Sequence, residues 1–149
     1  MLTPHGVHLV FFWQMPLGPR GILRPGRISA HNYLCMYRIK RIYEPVAKTD
    51  GYRILVERLW PRGVTKAESA LHDWLKDIAP SPDLRKWYGH NLARWAEFRE
   101  RYRAELAEKQ ELLDQLHALR GLGPVTLVFA AKDERHSSAA VLKDVLEGD

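Results

Sequence analysis

The sequence predicts a small α/β domain of three layers, with a mainly parallel sheet and flanking helices. Short apolar segments typical of strands alternate along the chain with segments that have helical spacing. The segment 125–131 is almost continuously apolar, as expected for a central strand covered on both faces. Strands that alternate with helices favour right-handed crossovers, which make the strands parallel. We therefore predict a single domain over residues 36–149.

Three segments are predicted as strands, namely residues 37–43, 52–60 and 125–131. Each is rich in β-branched, aromatic or other apolar residues. A turn signal at Asp50-Gly51 separates the first two segments. The first two segments are predicted to run into loops.

Four helices are predicted from apolar spacing and from the residues at their ends. A capping box at Thr65 and Glu68 begins the first helix, which is predicted to run through Ile78. Ser81-Pro82 and Gly89 bound the second. The third and longest runs from about Leu92 to Leu119, with Gly121 just beyond it and a highly charged outer face. The residues that the last helix directs inward are Ala139, Val141, Leu142, Val145 and Leu146.

Residues 1–35 differ in composition from the rest of the chain. They contain three arginines, no Asp or Glu, four prolines and four glycines. We expect a poorly ordered leader, either a targeting segment or, as we favour, an over-extended translation start before Met36. Without this leader, 20 basic residues stand against 18 acidic residues. The pI of about 9.5 therefore does not indicate a nucleic-acid-binding protein.

Several classes of protein are excluded by composition and motifs. The single cysteine, Cys35, forms no internal disulfide, and no Cys/His group has zinc-site spacing. The apolar run 9–13 is far shorter than the roughly 20 residues of a membrane span. The usual signatures of serine hydrolases, NTPases and hydride-transfer enzymes are missing, and no cofactor is indicated. These features predict a cytoplasmic protein.

Several short sequence segments after the leader together form a recognisable pattern. They are Arg58-Leu59-Trp60-Pro61-Arg62-Gly63, the segments 72–81, 84–90 and 95–102, and the segment 127–136 with its Lys132-Asp133 and His136. This pattern resembles the domain-of-unknown-function 488 family, in its YeaO-like branch, over about residues 37–146. The resemblance implies an α/β fold and a bacterial cytoplasmic protein. It supplies no catalytic residues that could be assigned to positions of this sequence. The family pattern has Asn after the histidine, where this chain has Ser137.

Two of these strings are predicted to meet at the carboxyl-terminal edge of the sheet, where ligands of parallel α/β sheets bind. Strand 52–60 leads into the first string, and strand 125–131 leads into the second. Cationic side chains together with free amides at a helix start favour an anion. We therefore predict a site for a phosphate- or carboxylate-bearing small molecule. The candidate ligand-binding residues are Arg58, Trp60, Arg62, Lys132 and Asp133, and the candidate acid or base is His136.

Each of these assignments has an alternative. Asp133 could cap the last helix and pair with Arg62, and His136, expected in the first turn of that helix, could be structural. The tryptophans at helical spacing, Trp74 and Trp95 among them, favour core packing over ligand stacking. A different class of function is a non-catalytic adaptor that binds protein or nucleic acid through the long charged helix. Interleaved glutamates make a self-paired surface the better account of that helix.

Overall fold

A computed structural model of the chain describes residues 37–148. The predictions for the leader, Cys35 included, lie outside the described residues. The four strands are β1 (Tyr37–Arg41), β2 (Tyr52–Leu55), β3 (Asp73–Trp74) and β4 (Val125–Phe129). They form one parallel sheet in the order β1-β4-β2-β3. The predicted fold class is therefore confirmed, and β4 lies in the interior of the sheet.

The strands are shorter than the sequence predicts. The predicted strand 37–43 ends at Arg41, 52–60 ends at Leu55, and 125–131 ends at Phe129. The apolar pattern continues past these ends because the loops are themselves partly buried, as Val56 shows with 1% exposure. These loops form the carboxyl-terminal edge of the sheet.

The predicted helix from Thr65 to Ile78 is wrong beyond its first turn. Its capping box is confirmed, since Thr65 Oγ1 accepts the amide of Glu68, but helix α1 spans only Lys66–Ser69. Ala70 then adopts a left-handed conformation with φ of 47°, which ends the helix. The chain turns to pair β3 with β2 and continues as a 3-10 turn over Lys76–Ile78. Pairing satisfies backbone groups of β2 that would otherwise lie buried without partners.

Helix α2 (Pro82–Tyr88) has the predicted Ser81 cap and Gly89 stop. The single long helix predicted from Leu92 is instead a 3-10 turn followed by two helices, α3 (Trp95–Ala107) and α4 (Gln110–Leu122). The break between α3 and α4 contains neither Gly nor Pro, so no residue in the local sequence marks it. Gly121, which the sequence predicts to lie just beyond the helix, lies inside α4. The bend allows both helices to bury their apolar sides in one core, through Phe98, Tyr102, Leu106, Leu113 and Leu116.

The two faces of the sheet are covered differently. Helices α2, α3 and α4, together with α5 (Ser138–Glu147), contribute to the main core, which includes Ile54 and Leu127. Leu55 and Val128 point to the other face, where a smaller cluster includes Trp60 and Trp74. The layer that covers this second face is therefore thin and is made largely of the loop that contains α1.

Candidate functional site

A cleft of about 620 Å³ opens at the carboxyl-terminal edge of β2 and β4. This volume lies within the range typical of small-molecule sites, about 300–1,000 Å³. The loops after the two strands, helix α2 and the segment leading into α5 surround it. The charged and titratable side chains that line it are Glu57, Arg58, Arg85, Lys86, Tyr88, His90 and His136.

Arg58 joins the loop after β2 to the segment before α2. Its guanidinium donates to the carbonyl oxygens of Pro80 at 3.3 Å and Ala79 at 3.2 Å. The carboxylate of Asp77 lies 3.7 Å away but is 81% exposed, so solvent screens this pair. Arg58 is therefore fixed in position mainly by neutral acceptors.

Three residues make four further hydrogen bonds that hold the segment before α2. The buried Tyr102 hydroxyl donates to the Ile78 carbonyl at 2.8 Å, and Lys109 Nζ donates to the Ala79 carbonyl at 3.0 Å. The Glu105 carboxylate accepts both the amide and the hydroxyl of Ser81, at 2.9 and 2.6 Å. Burial raises the pKa of Tyr102 and lowers the pKa of Lys109. This wall of the cleft is thus fixed to α3 and to the start of α4.

His136 is paired with Asp133 beside the cleft. Its Nδ1 lies 2.7 Å from Asp133 Oδ2, and its ring packs edge-on against Trp95. The hydrogen bond from His136 is the main cause that lowers the pKa of the Asp133 carboxyl. Because the carboxylate faces Nδ1, the imidazole is held in one orientation on the cleft wall.

The alternative role of Asp133, as the cap of the last helix, is wrong. Asp133 Oδ1 accepts the amides of Arg135 and His136, so it stabilises the turn before α5. The N-cap of α5 is Ser137, whose Oγ accepts the amide of Ala140. His136 therefore precedes the helix rather than lying in its first turn. Ser is among the preferred N-cap residues, so Ser137 satisfies the start of α5 by itself.

The other predicted ligand-binding residues do not line the cleft. Trp60 packs in the cluster on the opposite face of the sheet, edge-on against Trp74, with Nε1 donating to the Val64 carbonyl at 2.7 Å. The side chains of Arg62 and Lys132 are exposed, and within residues 37–148 no ion pair joins Arg62 to Asp133. Of the six predicted site residues, the cleft brings together only Arg58 and His136.

Helix α2 supplies cleft residues that the sequence reasoning missed. Arg85, Lys86 and His90 line the cleft, and none of them is among the site residues that the sequence predicts. Self-pairing does occur nearby, where Arg101 lies 2.5 Å from Glu97 and stacks on Trp87. Neither Arg85 nor Lys86 has an ion-pair partner within the described part of the chain. The sequence did contain a signal for this position. Arg85 and Lys86 directly follow the apolar Leu84, which is buried, so both cations lie on the exposed side of α2.

The tryptophans occupy packing positions. Trp87 and Trp95 lie partly buried against the main core, and Trp74 lies partly buried in the smaller cluster. Between residues 37 and 148, no group of three or more His, Cys, Asp and Glu side chains could hold a metal ion. No helix in that range is long and apolar enough to cross a membrane.

Comparison with known proteins places the chain in a family. A family model described as the inactive DUF488-N3 subclade matches residues 36–149. The uncharacterized protein YeaO of Escherichia coli strain K12 is 45% identical over 107 residues, which cover 72% of this chain and 93% of YeaO. Uncharacterized proteins of Mycobacterium bovis and Mycobacterium tuberculosis are each 42% identical over 111 residues, covering 74% of this chain and 93% of theirs. No solved structure matches. The chain therefore belongs to the domain-of-unknown-function 488 family, in its YeaO-like branch.

Proposed function

We propose that this protein binds a small molecule bearing a phosphate or carboxylate group in the cleft, without turning it over. The observation that carries the proposal is the charge of the lining. Arg58, Arg85 and Lys86 stand against one carboxylate, Glu57, which already accepts the amide of Ala130 at 3.1 Å. The cleft thus has a surplus of positive charge within a concave surface, where a field is stronger than on a flat one.

The cations in this lining differ in what they can contribute. Arg85 and Lys86 are exposed and have no ion-pair partner among residues 37–148, so they can turn toward an anion at little cost. Arg58 is fixed by backbone carbonyls, which do not neutralise its charge. The start of α5 borders the same cleft through Ser137 and Ser138, and helix N-termini favour negative charge. Together these groups fit one anionic group with mobile donors on one side and fixed donors on the other.

The absence of turnover in this proposal is supported by the description of the matched subclade as inactive. One observation favours a second candidate, acid or base catalysis by His136, because Asp133 orients its imidazole at 2.7 Å as catalytic histidines are often oriented. Phosphorus NMR of the protein incubated with a phosphomonoester distinguishes the two. Release of inorganic phosphate that His136→Gln abolishes would establish the catalytic alternative.

Titration calorimetry with ribose 5-phosphate tests the binding proposal. We expect Arg85→Ala and Lys86→Ala each to weaken binding by about fivefold to tenfold, since each removes one charge-assisted contact. The matched control is Lys66→Ala, an exposed lysine on α1 that does not line the cleft. An equal loss in the control would indicate nonspecific attraction. Absence of binding at millimolar ligand would contradict the proposal.

The adaptor alternative stays a prediction, and so does a cytoplasmic location. The charged surface predicted on one long helix is divided between α3 and α4. Gel-shift assays with DNA and RNA check the nucleic-acid form of the adaptor, for which we expect no complex at physiological salt.

A further inference from the structure

Leu59 is an apolar side chain left exposed at a cationic cleft. It is 66% exposed, more than any other large hydrophobic residue between positions 37 and 148. It follows Arg58 directly in the chain, and both residues line the cleft. An inorganic anion bound by the cations would leave Leu59 in water, so the anionic site does not explain this residue.

Other apolar and aromatic groups continue the surface of which Leu59 is part. Pro82 at the start of α2 and Ala131 after β4 line the cleft as well. Tyr88 and Phe98 form its deeper wall, with ring centroids 4.3 Å apart and nearly parallel planes. With Pro80 and Ala130, seven of the fifteen residues that line the cleft are therefore apolar or aromatic, and such groups favour an apolar or aromatic surface over water.

We propose that the ligand of this cleft is amphipathic, with an aromatic ring system joined to its anionic group. This inference rests on the proposed anion-binding function and deepens it. The ring covers Leu59 and lies along the proline and alanine surfaces, while Arg58, Arg85 and Lys86 take the anion. Aryl phosphates, aromatic carboxylates and nucleoside monophosphates belong to this class.

Three probes separate the contributions of ring and anion. Calorimetry or ligand-observed NMR is carried out on the full chain with 1-naphthyl phosphate, methyl phosphate and 1-naphthol. We expect 1-naphthyl phosphate to bind at least about tenfold more tightly than either of the others, since only it engages both surfaces. Equal affinity of naphthyl and methyl phosphate would overturn the inference and leave the anion-binding function standing. Failure of both phosphates to bind would overturn the function as well.

A variant with a matched control locates the ring. Leu59→Asn should weaken 1-naphthyl phosphate by about fivefold and leave methyl phosphate unchanged. Arg85→Ala should weaken both phosphates. Leu122→Asn is the control, because Leu122 is 53% exposed at the end of α4 and does not line the cleft. An unchanged naphthyl phosphate affinity in Leu59→Asn, or the same loss in Leu122→Asn, would contradict the placement.

Discussion

Removal of the carboxylate of Asp50 is expected to destabilise the protein strongly. Arg53 is buried in β2 with 2% of its side chain exposed, and its Nη1 lies 2.7 Å from Asp50 Oδ2. Its Nε and Nη2 donate to the carbonyl of Ser69, which carries no charge. Asp50→Ala therefore leaves a buried guanidinium without its countercharge, a change that costs about 3–5 kcal/mol.

The reverse change should cost less. In Arg53→Met, Asp50 keeps Lys40, whose Nζ lies 3.0 Å from Oδ1, and it keeps the amide of Ala47. Urea unfolding followed by tryptophan fluorescence measures both variants and the double variant Asp50→Ala/Arg53→Met. We expect the double variant to lose less stability than the sum of the single losses, because the buried guanidinium is removed together with its countercharge. A loss below about 1 kcal/mol in Asp50→Ala would refute the reasoning.

The same carboxylate gives the stability a pH dependence of known sign. Burial tends to raise the pKa of Asp50, but hydrogen bonds from the Ala47 amide, Lys40 and Arg53 outweigh it and hold the pKa below its ordinary value. A lowered folded-state pKa stabilises the fold fully above the unfolded value of about 3.9. This stabilisation is lost as the pH falls below that value through the folded-state pKa. Asp50→Asn should flatten this part of the acid-unfolding curve.

Three further predictions concern single sites and the leader. Gly51→Ala should destabilise by about 2–4 kcal/mol, because φ is +63° and the new Cβ would lie 2.2 Å from the Pro124 carbonyl oxygen. Gly63→Ala, with φ of +74° and open space, is its control and should cost about 1 kcal/mol in the same urea assay; equal losses would contradict the steric argument. Trp74→Ala and Trp95→Ala should each cost about 2–3 kcal/mol, less than the ~3–5 kcal/mol of a fully buried Trp, since both are partly buried; unchanged unfolding midpoints would contradict the packing roles. Deletion of residues 1–35 should change the Tm by no more than about 2 °C in calorimetry, and a drop of many degrees would show that the leader contributes to the fold.

Local signals predicted the helix ends well where one residue carries the chemistry. Each of these caps acts within one turn of the helix, so its effect can be predicted from the local sequence. The examples are Ser81, Gly89 and the Thr65–Glu68 capping box. Apolar spacing failed where a distant element competes. Residues after Ala70 have helical spacing, yet β2 offers backbone groups that must be paired, and the chain forms β3 instead.

The candidate site shows the same division. The sequence correctly placed the carboxyl ends of β2 and β4 at one edge, because parallel pairing follows from the alternation of strands and helices. The sequence did not show that Arg58 lines the cleft and Arg62 does not, because both residues follow β2 in the chain. The difference arises because the strand ends at Leu55 and the loop then turns Trp60 to the opposite face.

The sequence by itself determined the fold class through its periodicity, the family through the strings that carry the resemblance, and the helix boundaries at Thr65, Ser81 and Gly89 through short-range capping. The tertiary structure alone decided which cations share a cleft, because Arg85 and Lys86 reach Arg58 only when α2 packs beside the loops after β2 and β4. It also decided that Arg53 and Asp50 are buried together. Burial and long-range proximity are properties of the packed chain, and no local pattern of residues encodes them.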